Sequence, residues 1–254
     1  MKEIRITEKA HNEIKKLFAR DNVNILKTDP ELTELYDNFA FDKLLDHTTE
    51  LSERERVVVQ LVSTMGSKAK TQFRRLIGAA LNVGVKPREI REVVYKGIPY
   101  VGFSNMLDFV QEMNDVFANN DIKLPLDPQG TTTEENRLAK GRELMEEAFG
   151  KEFVDNLFDN APCGQEHLYH FLAEFCFGGF FTRNGITLPQ RELNTFVLLA
   201  AMGDTATQMR AHASANKRCG NDKAKMVAAI TAIIPYIGFP RSMNAISIIN
   251  EVFE

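Results

Sequence analysis

Tryptophan is absent from this 254-residue chain, and cysteine is scarce, with Cys163, Cys176 and Cys219 the full complement. An odd count with no close pair argues against a disulfide framework and points to a reducing compartment. A basic surplus is also missing. Lys and Arg number 31 against 35 Asp and Glu, a net charge of −4. Little is left to neutralise a phosphate backbone, so nucleic acid is set aside as a partner. No apolar run nears the roughly 18 residues that a membrane-spanning helix needs. The opening Met1-Lys2-Glu3-Ile4-Arg5 lacks the apolar stretch of a secretion signal. These absences lead to the expectation of a cytoplasmic chain that contacts no membrane.

What is present reads as helix. The apolar fraction of 44% and charged fraction of 26% are those of a globular protein. Strand signals are few. Ser52 and Glu55 form a capping box, followed by one apolar stripe of Val57, Val58, Leu61 and Val62. Pro87 suits a first helical turn, with Glu89 near the positive helix end. Thr132 and Glu135 repeat the capping pattern, which predicts a new helix there. The predicted class is all-α.

The chain also repeats itself. Leu51, Arg54, Glu55, Leu61, Met65 and Gly66 recur 137 positions on as Leu188, Arg191, Glu192, Leu198, Met202 and Gly203. At a separation of 136, Thr71, Gln72, Arg74, Ala79 and Gly84 recur as Thr207, Gln208, Arg210, Ala215 and Gly220. The same separation relates Pro99-Tyr100, Gly102 and Phe103 to Pro235-Tyr236, Gly238 and Phe239. Two long copies predict a duplicated domain and not a solenoid. The expected division is a first domain over 1–120, a linker over 121–133 rich in Pro and Thr, and a second domain over 134–254.

The second copy carries a recognisable pattern. Its run Phe175-Cys176-Phe177-Gly178-Gly179-Phe180-Phe181-Thr182-Arg183-Asn184-Gly185-Ile186, then TQMRAHASANKRCG, then IIPYIGFPRSMNAISIINEVF, resembles the carboxymuconolactone decarboxylase family. The likeness covers roughly 134–254, and 30–117 more weakly through the repeat. It implies two tandem alkylhydroperoxidase D-like helical domains, without a cofactor. It implies homo-oligomers, here a trimer of two-domain chains, and a small carboxylate as substrate. The acid–base histidine of the family maps onto His212, and the first copy has Leu76 there. The first copy therefore reads as a degenerate site.

Four residues earlier on the same helix face stands Gln208, where the resemblance implies a Glu. Its amide can orient a histidine or hold a carboxylate, but cannot carry a proton. Arg183 lies in a Thr-Arg-Asn-Gly turn, and its forked donors match a substrate carboxylate. The expected substrate walls are Phe177, Phe180, Phe181 and Cys176. Catalytic roles fall to His212, Gln208 and Arg183, by cofactor-free acid–base chemistry on a small carboxylated lactone or related acid.

Two other chemistries are weighed. The peroxide-reducing branch that resembles alkylhydroperoxidase D needs Cys-x-x-Cys before the histidine. Thr205 and Gln208 stand there instead, which disfavours it. A non-catalytic ligand-binding member of the family is the other alternative. Cys163, His167, His170 and Glu174 are spaced along one helix face. Side chains strung over about 16 Å cannot all meet one ion, so no metal site is assigned.

Overall fold

The computed structural model describes residues 5–18 and 28–254. Regular structure among them is helical throughout. Helices α1 (Glu8–Phe18) and α2 (Pro30–Ala40) lead through a 3₁₀ turn (Lys43–His47) into α3 (Glu53–Gly66), α4 (Lys70–Asn82), α5 (Pro87–Lys96), the single turn α6 (Ile98–Val101) and α7 (Phe103–Asn119). The second half runs α8 (Arg137–Phe149), α9 (Lys151–Asp159), α10 (Glu166–Phe171) and a π-helical stretch (Leu172–Phe181). It closes with α11 (Leu188–Met202), α12 (Ala206–Arg218), α13 (Lys223–Ile237) and α14 (Phe239–Phe253).

Local chemistry sets the helix starts. Ser52 Oγ accepts from the Glu55 amide at 3.3 Å, and the Ser52 amide donates to Glu55 Oε2 at 3.0 Å. Thr187 and Gln190 do the same for α11. Pro87 opens α5, where its missing N–H leaves nothing unsatisfied. The Thr132–Glu135 pattern does not start a helix. The Thr132 hydroxyl instead donates to Gly178 O at 2.9 Å, and α8 begins only at Arg137.

Helix bounds repeat with the sequence. Lys70–Asn82 answers to Ala206–Arg218, and α5 and α6 together answer to α13. The two sets of helices interlock. At the crossing of α3 and α11, a Cβ on Gly66 would lie 2.7 Å from both Ala201 Cβ and Leu198 O. That spacing lets the backbones approach closely. One continuous core joins Val57, Leu61, Phe73 and Phe109 of the first repeat to Phe196, Val197, Ile230 and Ile249 of the second. Each such side chain contributes about 1.5–3 kcal/mol by leaving water.

A smaller core of Met145, Val154, Ala173, Cys176, Phe177 and Phe181 lies between α8, α9 and the π-helical stretch. There α8 presses so close that a Cβ on Gly141 would collide with the Ala173 carbonyl. Residues 120–136 are tied down by backbone groups. Arg91 donates to Leu126 O at 2.9 Å and Asp127 O at 2.5 Å, and the Asn184 amide donates to Gln129 O at 3.0 Å. Among the described residues, no helix is long and apolar enough to cross a membrane.

Candidate active site

The π-helical stretch is built from an almost wholly apolar run with Gly178 and Gly179 inside it. Such widened turns leave backbone carbonyls needing partners. Arg191, only 1% exposed, supplies them, donating to Phe180 O at 3.0 Å and Arg183 O at 2.5 Å. Burial pushes its guanidinium down to about 10. Phe177 and Phe181 turn inward and stack at 4.7 Å. Phe180 is half-buried and packs on Phe175 at 5.2 Å, away from that pair.

Against this aromatic wall stands His212, buried on α12. Its Nδ1 meets Glu192 Oε2 of α11 at 2.6 Å, and its Nε2 faces the Tyr100 hydroxyl at 3.4 Å. Phe149 stands edge-on to the imidazole at 5.3 Å and touches Phe177 in turn. Asn216 braces the pair from below, donating to His212 O at 2.7 Å and Glu192 O at 3.0 Å. Glu192 is fully buried, and its second oxygen, Oε1, has no hydrogen-bond partner. A buried carboxylate oxygen left in that state is costly unless something else meets it.

The first repeat reaches into this site. Its own equivalent of His212 is Leu76, yet α5 and α6 deliver Lys96 and Tyr100 beside Glu192. The Lys96 ammonium lies 5.6 Å from the ring centres of Tyr100 and of Phe181. The residue is 2% exposed, and among the described residues it forms no ion pair or hydrogen bond. Burial pushes it down to about 7, and the nearby Glu192 charge opposes that only in part. Tyr100 is held protonated, chiefly by burial and then by the charges of its neighbours. Cys176 touches the Tyr100 hydroxyl, and burial pushes its thiol up to about 12.

Arg183 and Gln208 occupy other surroundings. Arg183 grips Glu92 with two bonds, Nε to Oε2 at 2.7 Å and Nη2 to Oε1 at 3.0 Å, and Glu92 is wholly buried. Its fork already holds a carboxylate, one that belongs to the protein. Glu92, Lys96 and Tyr100 follow at intervals of four, and Arg183 is bonded to the first of them while His212 faces the last. Gln208 is exposed on the first turn of α12, and the group that orients His212 is Glu192. His167 and His170 lie against Phe171 and Phe158. Among the described residues no three His, Cys, Asp or Glu side chains gather as metal ligands.

Outside Phe149 a groove of about 620 Å³ opens, lined by Phe149, Phe153, Ala211 and the cations Arg210, Lys217 and Arg218. Phe149 therefore separates a basic vestibule from the imidazole.

Glu192, Lys96 and Tyr100 carry no flag in the motif that identifies His212. Arg-Glu in the Arg54-Glu55/Arg191-Glu192 repeat and Tyr100 in the Pro-Tyr repeat were visible signals. Nothing in the local sequence marks Lys96.

Comparison with known proteins finds likenesses of sequence in the second half of the chain and of fold over nearly all of it. Residues 166–251 match the model of the carboxymuconolactone decarboxylase family. The 4-carboxymuconolactone decarboxylase of Acinetobacter baylyi is 27% identical over 121 residues, 48% of this chain and 90% of that protein. The crystal structure of a protein described as a gamma-carboxymuconolactone decarboxylase subunit from Burkholderia xenovorans LB400 aligns over 96% of both chains, with a TM-score of 0.59 and 16% identity. That likeness is one of fold. Over residues 166–251, which include Glu192 and His212, the chain is similar to the carboxymuconolactone decarboxylase family.

Proposed function

We propose that the chain is a carboxymuconolactone decarboxylase-like lyase, removing carbon dioxide from a small carboxylated lactone or related acid without a cofactor. The observation that carries this reading is the buried Glu192–His212 pair beside the unpaired Lys96 ammonium, inside a wall of Phe149, Phe177 and Phe181. As the carbon–carboxylate bond breaks, its electron pair flows into the conjugated lactone carbonyl. Lys96 faces the negative charge that develops on that oxygen, where a fixed cation in a dry site counts most. His212, held through Nδ1 by Glu192, delivers a proton from Nε2 to the carbon that lost its carboxylate. The basic vestibule outside Phe149 suits the approach of an anionic substrate.

Exposed Phe103 and Leu107 on α7 are matched by Phe239 and Met243 on α14, and these repeated apolar pairs support assembly with further copies. The decisive experiment follows carbon dioxide release from 4-carboxymuconolactone. His212→Ala lowers turnover about a hundredfold or more while the helical fold survives. Equal turnover in that variant removes the role of His212. Binding by the native protein without turnover leaves a ligand-binding member of the family.

A further inference from the structure

A second cavity opens on another face of α11, at the seam between the repeats, and goes beyond the chemistry at His212. It holds about 200 Å³. Its walls are aliphatic, with Val58 and Val59 of α3, Val93 of α5 and Leu193 of α11. Four charged residues line it, and they cancel. Lys225 meets Glu55 at 2.5 Å, and Arg54 meets Glu89 at 2.8 Å.

Among the lining side chains, Asn194 has its whole carboxamide unused. Asn194 is 4% exposed, yet among the described residues its carboxamide makes no hydrogen bond. Its amide atoms keep their accessible surface in the cavity, and a donor–acceptor edge left open on the wall of an otherwise buried residue marks a place where a partner fits. Asn221, also on the wall, has already spent its amide N–H groups on Pro189 O at 2.9 Å and Asn216 Oδ1 at 2.8 Å.

We propose that this seam cavity binds a small uncharged molecule with a branched aliphatic body and a carboxamide-like edge that pairs with Asn194. Donor meets acceptor and acceptor meets donor along that edge. The body lies on the valines and Leu193. A charged ligand would have to break an ion pair already made, whereas a neutral one enters without that cost. The volume is below the roughly 300–1,000 Å³ of drug-sized sites, which limits the occupant to a few heavy atoms.

The test uses isovaleramide as probe, with isovalerate and isoamylamine as its charged counterparts, titrated by saturation-transfer NMR against the full chain. Isovaleramide binds in the millimolar range, about 10 mM or tighter. Asn194→Leu weakens it at least tenfold, and Val58→Phe, which fills the cavity from a half-buried position, does the same. Circular dichroism confirms that each variant is folded. No binding of isovaleramide to the native chain overturns the proposal. So does equal affinity for the charged probes, or unchanged binding in the folded variants. None of these readouts depends on turnover at His212.

Discussion

Glu192 and His212 stand twenty residues apart on separate helices and meet at 2.6 Å, the carboxylate on Nδ1. A carboxylate in that place fixes the ring and its tautomer and leaves Nε2 facing Tyr100 and the pocket. The pair is held from beneath by Asn216, whose amide bonds both backbone carbonyls.

Glu192→Gln keeps the shape and removes the charge. A neutral amide no longer stabilises the imidazolium that the proposed mechanism uses as proton donor. Turnover of 4-carboxymuconolactone should fall by about 10–100-fold or more. Steady-state kinetics beside an unchanged circular dichroism spectrum tests this, and native turnover in the variant would contradict the role given to Glu192.

Lys96 links activity and stability with opposite signs. Burial depresses its pKa from the usual 10.5 to about 7, so the folded protein releases a proton that the unfolded chain keeps between those values. The cost of the buried charge is fully present below pH 7 and fades as the pH rises toward 10.5. Lys96→Met should therefore raise Tm, by about 1–4 kcal/mol of stability near pH 6, with the gain shrinking by pH 10. The proposed mechanism uses the same ammonium, so native kcat/KM should decline above pH 7, and the variant should lose most activity at every pH. A melting series from pH 6 to 10, run beside a pH–rate profile, checks both signs.

The cysteines should behave as packing groups toward peroxide. The Cys176 thiol is buried and pushed up to about 12, and that of Cys219 up to about 11, both chiefly by burial. Thiolate is the reactive species, and neither residue holds it near pH 7. Hydrogen peroxide at pH 7 should leave Cys176 reduced, with oxidation falling mainly on exposed Cys163. Mass spectrometry of the peptides decides, and a sulfenic acid at Cys176 would revive the peroxide-reducing alternative.

Gly141 tests the α8 crossing. A side chain there strikes the Ala173 carbonyl and the Gly178 amide, both backbone atoms. Gly141→Val should cost about 3 kcal/mol or more, because the neighbouring helix must move as a body. Urea denaturation gives the number. A loss below 1 kcal/mol would show that α8 slides freely.

The helical class and many boundaries could be read from the sequence because their causes are local. Ser52 caps through atoms three residues away, and Pro87 acts through its own ring. His212 was legible through its motif. Its partner was not, because one-helix spacing directs attention to Gln208, whereas the carboxylate arrives from a packed neighbour. Arg183 was legible as a carboxylate-binding fork, but the carboxylate it binds, Glu92, lies 91 residues away. Lys96 was hidden for a different reason. Lysine in a helix suggests a solvated face, and only the closing of Phe181 and Tyr100 around it turns it into a buried amine. The first repeat appears chemically empty when only its counterpart of His212, Leu76, is considered.

The interlocked helices carry one last implication. Because α5 and α6 of one repeat furnish the ammonium and phenol that surround the imidazole of the other, any chemistry at this pocket is a property of the join. A chain divided in the 120–136 connection would leave the histidine on one fragment and half its environment on the other. Fusion of the repeats keeps the two contributions at a one-to-one ratio, with no encounter between separate molecules needed to complete the pocket.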